Sequence, residues 1–520
     1  MNVLLIYPGT GSGILSTRGR DKAVYSAGKQ AYSPPLGLMT LAALFPQDWR
    51  FELVDNAFQE ISPQHWSRCD LVIVTGTIFH LDRILEIIRE AKRRKKIVAV
   101  GGPGIFHFTD EALKAGADYV VRGEGEITVP PLLESLNEGV TGVVIERAGP
   151  ADLTTSPVPR FDLLDMSAYV DMSIQFSRGC PFLCEFCDAT QLFGRKVRTK
   201  TPAQVLAELQ ALYDLGWRRQ IFVVDDNFIG NPGLTKELLD EMIPWIGAHG
   251  MPFDFYTHSS VNLSKHPALM DSMVRVGFVS VYLGIETPDK ETLTAIKKHQ
   301  NVKTDLLEAC RTINRAGLEV MAGTIIGLDG EKAGSDARLV DFVTTAGIPV
   351  VEVDLLHALP GTALWDRLKQ EGRLLVNEDY VLGKFDDFTI NFVPTRPLKE
   401  VLDEYFHAME ALYEPSAFLE RAFKHFMVMQ PSPVPRPGKR PYLSEIVSVF
   451  RAVVRWGIVW PTRTKFWNYL ARIGWNCDRS RFARFLRCCI TLDHYREVHK
   501  ETSEFYQRGG LDDHPVRSAR

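Results

Sequence analysis

Cys180-Pro181-Phe182-Leu183-Cys184-Glu185-Phe186-Cys187 packs three thiols into one octapeptide, in a C-x3-C-x2-C spacing. A loop this short can wrap three thiolates around a single metal cluster. Structural zinc normally takes four protein ligands, and neither a C-x2-C partner nor an H-x3-H pair stands at a suitable distance. An iron-sulfur cluster is therefore the stronger reading. Three thiolates on a four-iron cluster leave one iron open to a substrate or cofactor. Of the eight cysteines, the other five, Cys69, Cys310, Cys477, Cys488 and Cys489, read as packing residues, because a chain of 520 residues can fold without crosslinks.

The cysteine loop follows an apolar run, Ser173 to Phe176, and βα alternation continues beyond it. Further strand candidates are Ile221 to Val224, Phe253 to Tyr256, Val279 to Ile285, Glu319 to Ile326 and Val350 to Leu356. About six repeated right-handed βα units can close or partly close into a barrel, whose chemistry sits at the carboxyl ends of its strands. The cysteines stand at the first of those ends.

Ahead of this block, short apolar runs alternate with amphipathic stretches: Val3 to Tyr7, Phe51 to Val54, Leu71 to Val74, Ile97 to Val100 and Tyr119 to Val121. That pattern predicts a parallel, doubly wound sheet, with ligands beyond the strands' carboxyl ends. The loops there are small or glycine-rich: Gly9 to Gly13, Thr75-Gly76-Thr77, Gly101-Gly102-Pro103-Gly104 and Arg122-Gly123-Glu124-Gly125-Glu126. The first spells neither a phosphate loop nor a dinucleotide fingerprint. A Ser/Pro stretch from Thr154 to Arg160 is a candidate linker.

After about residue 390 the strand signal fades into helix. Pro431 to Pro437 is a stiff extended spacer, and beyond it basic residues outnumber acidic ones about two to one. From Leu443 to Trp460, Leu443, Ile446, Val447, Phe450 and Val454 fall on one helical face, and Ser444, Ser448, Arg451 and Arg455 on another. Such a helix can lie on a membrane or pack on its own barrel.

The expected organisation is α/β: a doubly wound (Rossmann or flavodoxin-like) domain over residues 1–150, a partial (β/α)6 barrel over 165–390 and a helical region over 391–520. Composition is near the globular average, 45% hydrophobic and 24% charged, and the net charge of -4 names no partner. No apolar stretch is long enough for a membrane span and no leader is evident, so the expected location is cytoplasmic, with peripheral contact on the inner membrane face left open.

At the end of the first barrel strand, Ser177-Arg178-Gly179-Cys180 through Cys187 resembles the signature loop of radical S-adenosylmethionine (SAM) enzymes. The resemblance implies that Cys180, Cys184 and Cys187 hold a [4Fe-4S] cluster. SAM would chelate the open iron, and one electron would cleave it to a 5′-deoxyadenosyl radical. Phe186 matches the aromatic position beside the adenine. Asp225-Asp226-Asn227 falls where the family contacts the methionine amino group. Ser260 and Asn262 follow the third strand, and Glu286 closes the fourth, where a carboxylate bridges ribose hydroxyls. Gly323 to Glu331, with Gly327 at its centre, resembles the glycine motif that packs on the adenine.

The layout as a whole resembles the cobalamin-binding class of these enzymes, and within it the subgroup of hopanoid and bacteriochlorophyll C-methylases. Ser33 to Leu38, Val121 to Glu126, Pro159 to Asp162, Val224 to Phe228, Leu283 to Thr287 and Ala358 to Thr362 carry that likeness. It implies cobalamin on the strand-end loops, with Thr75, Gly76, Gly101, Gly102, Gly123 and Glu124 as candidate contacts. The Asp-x-His-x-x-Gly motif is missing, so His80 and His107 are expected to leave the cobalt without a protein imidazole.

The implied reaction is C-methylation of an unactivated carbon on a large apolar or tetrapyrrole-like substrate. One SAM gives its methyl to cobalt, and a second, cleaved at the cluster, supplies the radical that removes hydrogen from the substrate. No side chain need be an acid or base. The alternative keeps both cofactors for cyclisation or ring modification, as in the related anaerobic porphyrin cyclase; a non-enzymatic redox or cobalamin sensor is the third reading. Expected partners are an electron donor such as flavodoxin or ferredoxin and the organic substrate, with no nucleic acid.

Overall fold

In the computed structural model, residues 1–9, 29–147, 149–375, 390–434 and 443–505 are described. Most of the glycine loop after Tyr7 and part of the proline-rich spacer lie outside them.

Six strands form the first sheet: β1 (Asn2–Tyr7), β2 (Arg50–Asp55), β3 (Leu71–Thr75), β4 (Ile97–Gly101), β5 (Tyr119–Arg122) and β6 (Val143–Glu146). They run parallel in the order β2-β1-β3-β4-β5-β6. This is the flavodoxin-like winding, whose ligand crevice lies where the order reverses, at the carboxyl ends of β1 and β3. The sequence pattern missed β6. It is an edge strand with only Ile145 buried, so it lacks the apolar run that marks its neighbours.

The second sheet contains β7 (Asp171–Ile174), β10 (Gln220–Val223), β11 (Asp254–Ser259), β12 (Phe278–Glu286), β13 (Glu319–Ile326) and β14 (Val350–Leu355), while β8 (Ser177–Arg178) and β9 (Arg198–Thr199) pair separately. Its parallel order, β14-β13-β12-β11-β10-β7, is that of an open six-stranded barrel. β7 begins two residues before the expected start and ends before Phe176. Its first residue is the buried Asp171, bonded by Ser33 and Tyr256, and a polar opening residue hides a strand from an apolar count.

Side chains alternate across each barrel strand. Ile221, Val223, Phe255, Val281, Leu283, Val320 and Val351 are buried in the core beneath the surrounding helices. Strand register puts Ser173, Phe222, Tyr256, His258, Tyr282, Gly323 and Glu352 on the other, concave face. The C-terminal helices close the far end: from the helix Arg479–Phe505, Arg484 donates to the Val279 carbonyl and to Glu319, at the amino ends of β12 and β13. Among the described residues no helix is long and apolar enough to cross a membrane.

A buried ion cluster joins the two sheets. Arg178 donates to Glu124 at 2.7 Å and to both oxygens of Glu126 at 2.9 Å, and Arg198 donates to Glu124 at 2.9 Å. The glutamates follow β5 and Arg178 follows β7, so the carboxyl ends of the two sheets face each other. Burial would lift the Glu126 carboxyl, but hydrogen bonds and charge from Arg178 outweigh it and hold the group below its ordinary range. Breaking a buried pair strands a charge at a cost of about 3–5 kcal/mol. Arg178→Met is therefore expected to lower the unfolding free energy by about that amount, seen as a lower urea midpoint. The Glu126 contribution is present above the unfolded carboxylate pKa of about 4.3 and lost as pH falls through its lower folded value, so acid should destabilise the native chain more than Glu126→Gln. Equal midpoints for native and Arg178→Met chains would contradict this account.

Candidate active site

The cysteine loop is shaped by backbone contacts at its neck. β8 and β9 pair antiparallel at its neck, and the Cys180 amide donates to the Gly194 carbonyl at 3.2 Å. Gly179 adopts a φ of 95°, and a side chain there would stand 2.8 Å from the Lys196 carbonyl oxygen. Only glycine fits that turn.

Asp225 fixes the loop's approach. Its carboxylate is fully buried and accepts from the Phe176 amide at 2.8 Å, the Ser177 amide at 2.9 Å and the Ser177 hydroxyl at 2.6 Å. Asp225, at the head of the Asp225-Asp226-Asn227 trio, is thus a tether of the loop. Asp226, half-buried, accepts from the Gly179 amide at 3.1 Å. Asn227 takes the Ser260 amide at 3.2 Å and so locks the second strand end to the third.

Cys180, Cys184 and Cys187 are free thiols at intermediate exposure. Burial pushes the Cys180 thiol up to about 11 and the Cys187 thiol up to about 12, so each ionises only against a cation that replaces its proton. A multi-iron cluster spreads its thiolates over different irons, and this donor set fits one.

Beside the loop, the Lys298 ammonium pairs with buried Glu286 and lies 5.9 Å from the Phe186 ring centre. Burial works against that ammonium, but the Glu286 carboxylate and the Cys184 and Cys187 sulfurs outweigh it and hold its pKa above the ordinary lysine value. Glu286 stands at a φ of 62°, at a register shift between β12 and β13. Lys298 and Gln300 were missed in sequence, since they stand at the start of the short helix His299–Val302, which carries no motif. Gly327 turns at a φ of 86°, but the space its side chain would take is filled by Ile390 and Val401.

In the first sheet the loops after β3 and β4 interlock. The Gly104 amide donates to the Gly76 carbonyl at 2.8 Å, and Gly102, at a φ of 85°, lies so close to Thr75 that a side chain would collide with its hydroxyl. Thr75, Gly76, Gly101 and Gly102 thus offer mostly backbone at the crevice, as a large corrin ligand needs. Gly123 turns at a φ of 125° at the end of β5. Glu124 instead spends both oxygens on Arg178, Arg198 and the Ala151 amide, so it belongs to the clasp. His80 is buried, its Nδ1 bonded to Thr77 and its pKa lowered to about 4 by burial. The His107 ring lies against Gly361 of the barrel domain.

Residues 27–133 match the B12 binding domain, residues 174–343 the radical SAM superfamily and residues 362–507 a domain of unknown function, DUF4070. An uncharacterized methyltransferase of Synechocystis sp. is 43% identical over 96% of this chain and 92% of its own. The hopanoid C-2 methylase of Rhodopseudomonas palustris is 32% identical over 85% of this chain and 84% of its own. The chain belongs to the cobalamin-binding radical SAM enzymes. It is accordingly an enzyme of a [4Fe-4S] cluster, SAM and cobalamin, in a group of methyltransferases. The fold of the radical SAM methyltransferase TsrM from Kitasatospora setae, solved with cobalamin and a [4Fe-4S] cluster, matches at a TM-score of 0.60 and 15% identity, over 97% of this chain and 99% of that one.

Within this radical SAM enzyme, Asp225→Ala removes the acceptor of three donors and is expected to cost about 2–4 kcal/mol. The variant should also retain less iron after anaerobic reconstitution, whereas Asp226→Ala should load iron as the native chain does. Full iron loading and unchanged stability in Asp225→Ala would refute the tether.

Proposed function

We propose that this enzyme transfers a methyl group to an unactivated carbon of a large apolar, lipid-like skeleton. The observation that carries the reading is the facing of the two sheets' carboxyl ends across the Arg178 clasp. When bound, the cluster with SAM supplies a 5′-deoxyadenosyl radical and cobalamin supplies the methyl group.

The chain's own residues have a positioning task. Cys180, Cys184 and Cys187 would hold the cluster, with Phe186, Asp226, Ser260 and Glu286 around SAM and the loops at Thr75-Gly76, Gly101-Gly102 and Gly123 around cobalamin. On the concave face of the barrel, Phe222 stacks on Tyr256 at 4.5 Å and meets His258 at 5.1 Å, and His258 meets Tyr282 at 5.1 Å. This aromatic wall suits an extended apolar skeleton. Burial lowers His258 to about 4, leaving it neutral and a poor proton carrier at pH 7. The likeness to a hopanoid methylase supports a polycyclic lipid; a flat tetrapyrrole would suit the same wall.

We further propose a cytoplasmic enzyme that collects its substrate from the inner face of an anionic bilayer. The support is the outer face of the helix Leu443–Val454 and the turn after it: Ser448, Ala452 and Trp456 point inward, while Ile446, Phe450, Ile458 and Val459 are 51%, 66%, 63% and 65% exposed. Trp467 and Trp475 on the next helix are also exposed, with Arg451, Arg455, Arg463 and Arg472 among them. An apolar stripe set in arginines suits a headgroup boundary.

In anaerobic turnover with methyl-deuterated SAM and candidate polycyclic lipids, one S-adenosylhomocysteine should form per labelled product, alongside 5′-deoxyadenosine. Product without S-adenosylhomocysteine would point to the cyclase-type reaction instead. Phe450→Asp with Ile458→Asp should abolish flotation with anionic liposomes but leave SAM cleavage intact; unchanged flotation would exclude the bilayer.

A further inference from the structure

The segment that follows β12, which carries the short helices Lys290–Ala295 and His299–Val302, bends back over the cysteine loop and is held on two sides. The Asn301 side-chain amide donates to the Gly284 and Ile285 carbonyls, each at 3.0 Å, which fixes it to the end of the strand. The Glu185 amide donates to the Ile296 carbonyl at 3.1 Å, which fixes the cysteine loop to it in turn. Between these anchors the segment presents two buried polar side chains, Lys298 and Gln300, each 8% exposed. The Gln300 amide nitrogen stands 3.5 Å from the Cys184 sulfur, within hydrogen-bond reach of a thiolate. The Lys298 ammonium lies between the Glu286 carboxylate and the Phe186 ring, one residue from Cys187.

Reducing a [4Fe-4S] cluster adds one negative charge to a half-buried site that already carries three thiolates. The potential of such a cluster is set by the charge around it, by hydrogen bonds to its sulfurs and by exposure to water. A fixed cation and an amide donor stabilise the reduced form, and a neighbouring carboxylate opposes them. We infer that Lys298 and Gln300 raise the reduction potential of the cluster, with Glu286 as the counterweight that limits the rise. The inference rests on Cys180, Cys184 and Cys187 holding the cluster, as proposed above. Lys298 and Gln300 act here through the thiolates and are positioning residues rather than catalytic ones.

The signs make this testable. Full-length native protein and the variants Lys298→Met, Gln300→Leu and Glu286→Gln would be reconstituted anaerobically, checked for equal iron per chain, and titrated potentiometrically without SAM while the EPR signal of the reduced cluster is followed. Lys298→Met and Gln300→Leu are expected to shift the midpoint to more negative potential. Glu286→Gln is expected to shift it to more positive potential, and Lys298→Arg to restore the native value. A merely structural loop predicts no such opposition: midpoints that stay put, or that all move in one direction, overturn the inference. If Lys298→Met fails to load iron, the opposed shifts of Gln300→Leu and Glu286→Gln decide the question alone. A native chain that assembles no cluster is a separate outcome, one that removes the cysteine assignment and the inference together.

Discussion

The contact between Arg178 and the pair Glu124 and Glu126 is the constraint on which the rest of the arrangement depends. Two parallel sheets, each with its ligand loops at the carboxyl ends of its strands, have no intrinsic reason to meet face to face. The guanidinium lies one residue from Gly179 and two from the first cysteine, while the glutamates close the last glycine turn of the other sheet. Their side chains are 11%, 6% and 2% exposed, so water does little to screen the attraction. The clasp therefore sets how the two cofactor-bearing ends stand to each other, and Arg198 and Ser156 complete its hydrogen bonds.

A second ion network holds the opposite side of the cysteine loop. Arg367 reaches Glu185 and Asp329, each at 2.7 Å, and Arg373 joins Asp329 as well. Glu185 sits between Cys184 and Phe186, and Asp329 follows Gly327 in the turn after β13. The loop is thus braced toward the first sheet by Arg178 and toward the C-terminal part of the chain by Glu185. Asp225 fixes it from below. A loop held on three sides would keep the thiolates of a bound cluster in place, and a radical site needs that rigidity, because a reactive centre misplaced by an ångström meets the wrong hydrogen.

Much of this was legible in the sequence, for identifiable reasons. The cysteine spacing is a local signal, and the βα alternation is carried by buried strands that read as plain apolar runs, so most of both sheets and the cysteine loop followed directly, whereas the edge strand β6 and the short β8–β9 pair did not. The sequence says least where a polar residue is buried for a tertiary reason. Asp225 and Glu124 looked like ligand contacts because carboxylates at strand ends often are; their partners, Ser177 and Arg178, lie far away in sequence or in another domain. The helix Leu443–Val454 shows the converse: periodicity grouped Ser448 with Arg451 and Arg455, but the fold buries Ser448 with Ala452 and Trp456 and leaves both arginines exposed beside Ile446 and Phe450. Lys298 and Gln300 gave no signal, because only the folded loop brings them to Cys184.

The central claim is that the clasp holds the cluster end of the barrel opposite the cobalamin end of the first sheet. Pulsed EPR on the doubly loaded enzyme, with cluster and cobalt both reduced to paramagnetic states, reads the magnetic dipolar coupling between the two centres. The account predicts a resolved coupling of narrow distribution in the native enzyme, broadened or lost in Arg178→Met with both cofactors still bound. No coupling in the native enzyme, or an identical one in the variant, would contradict it.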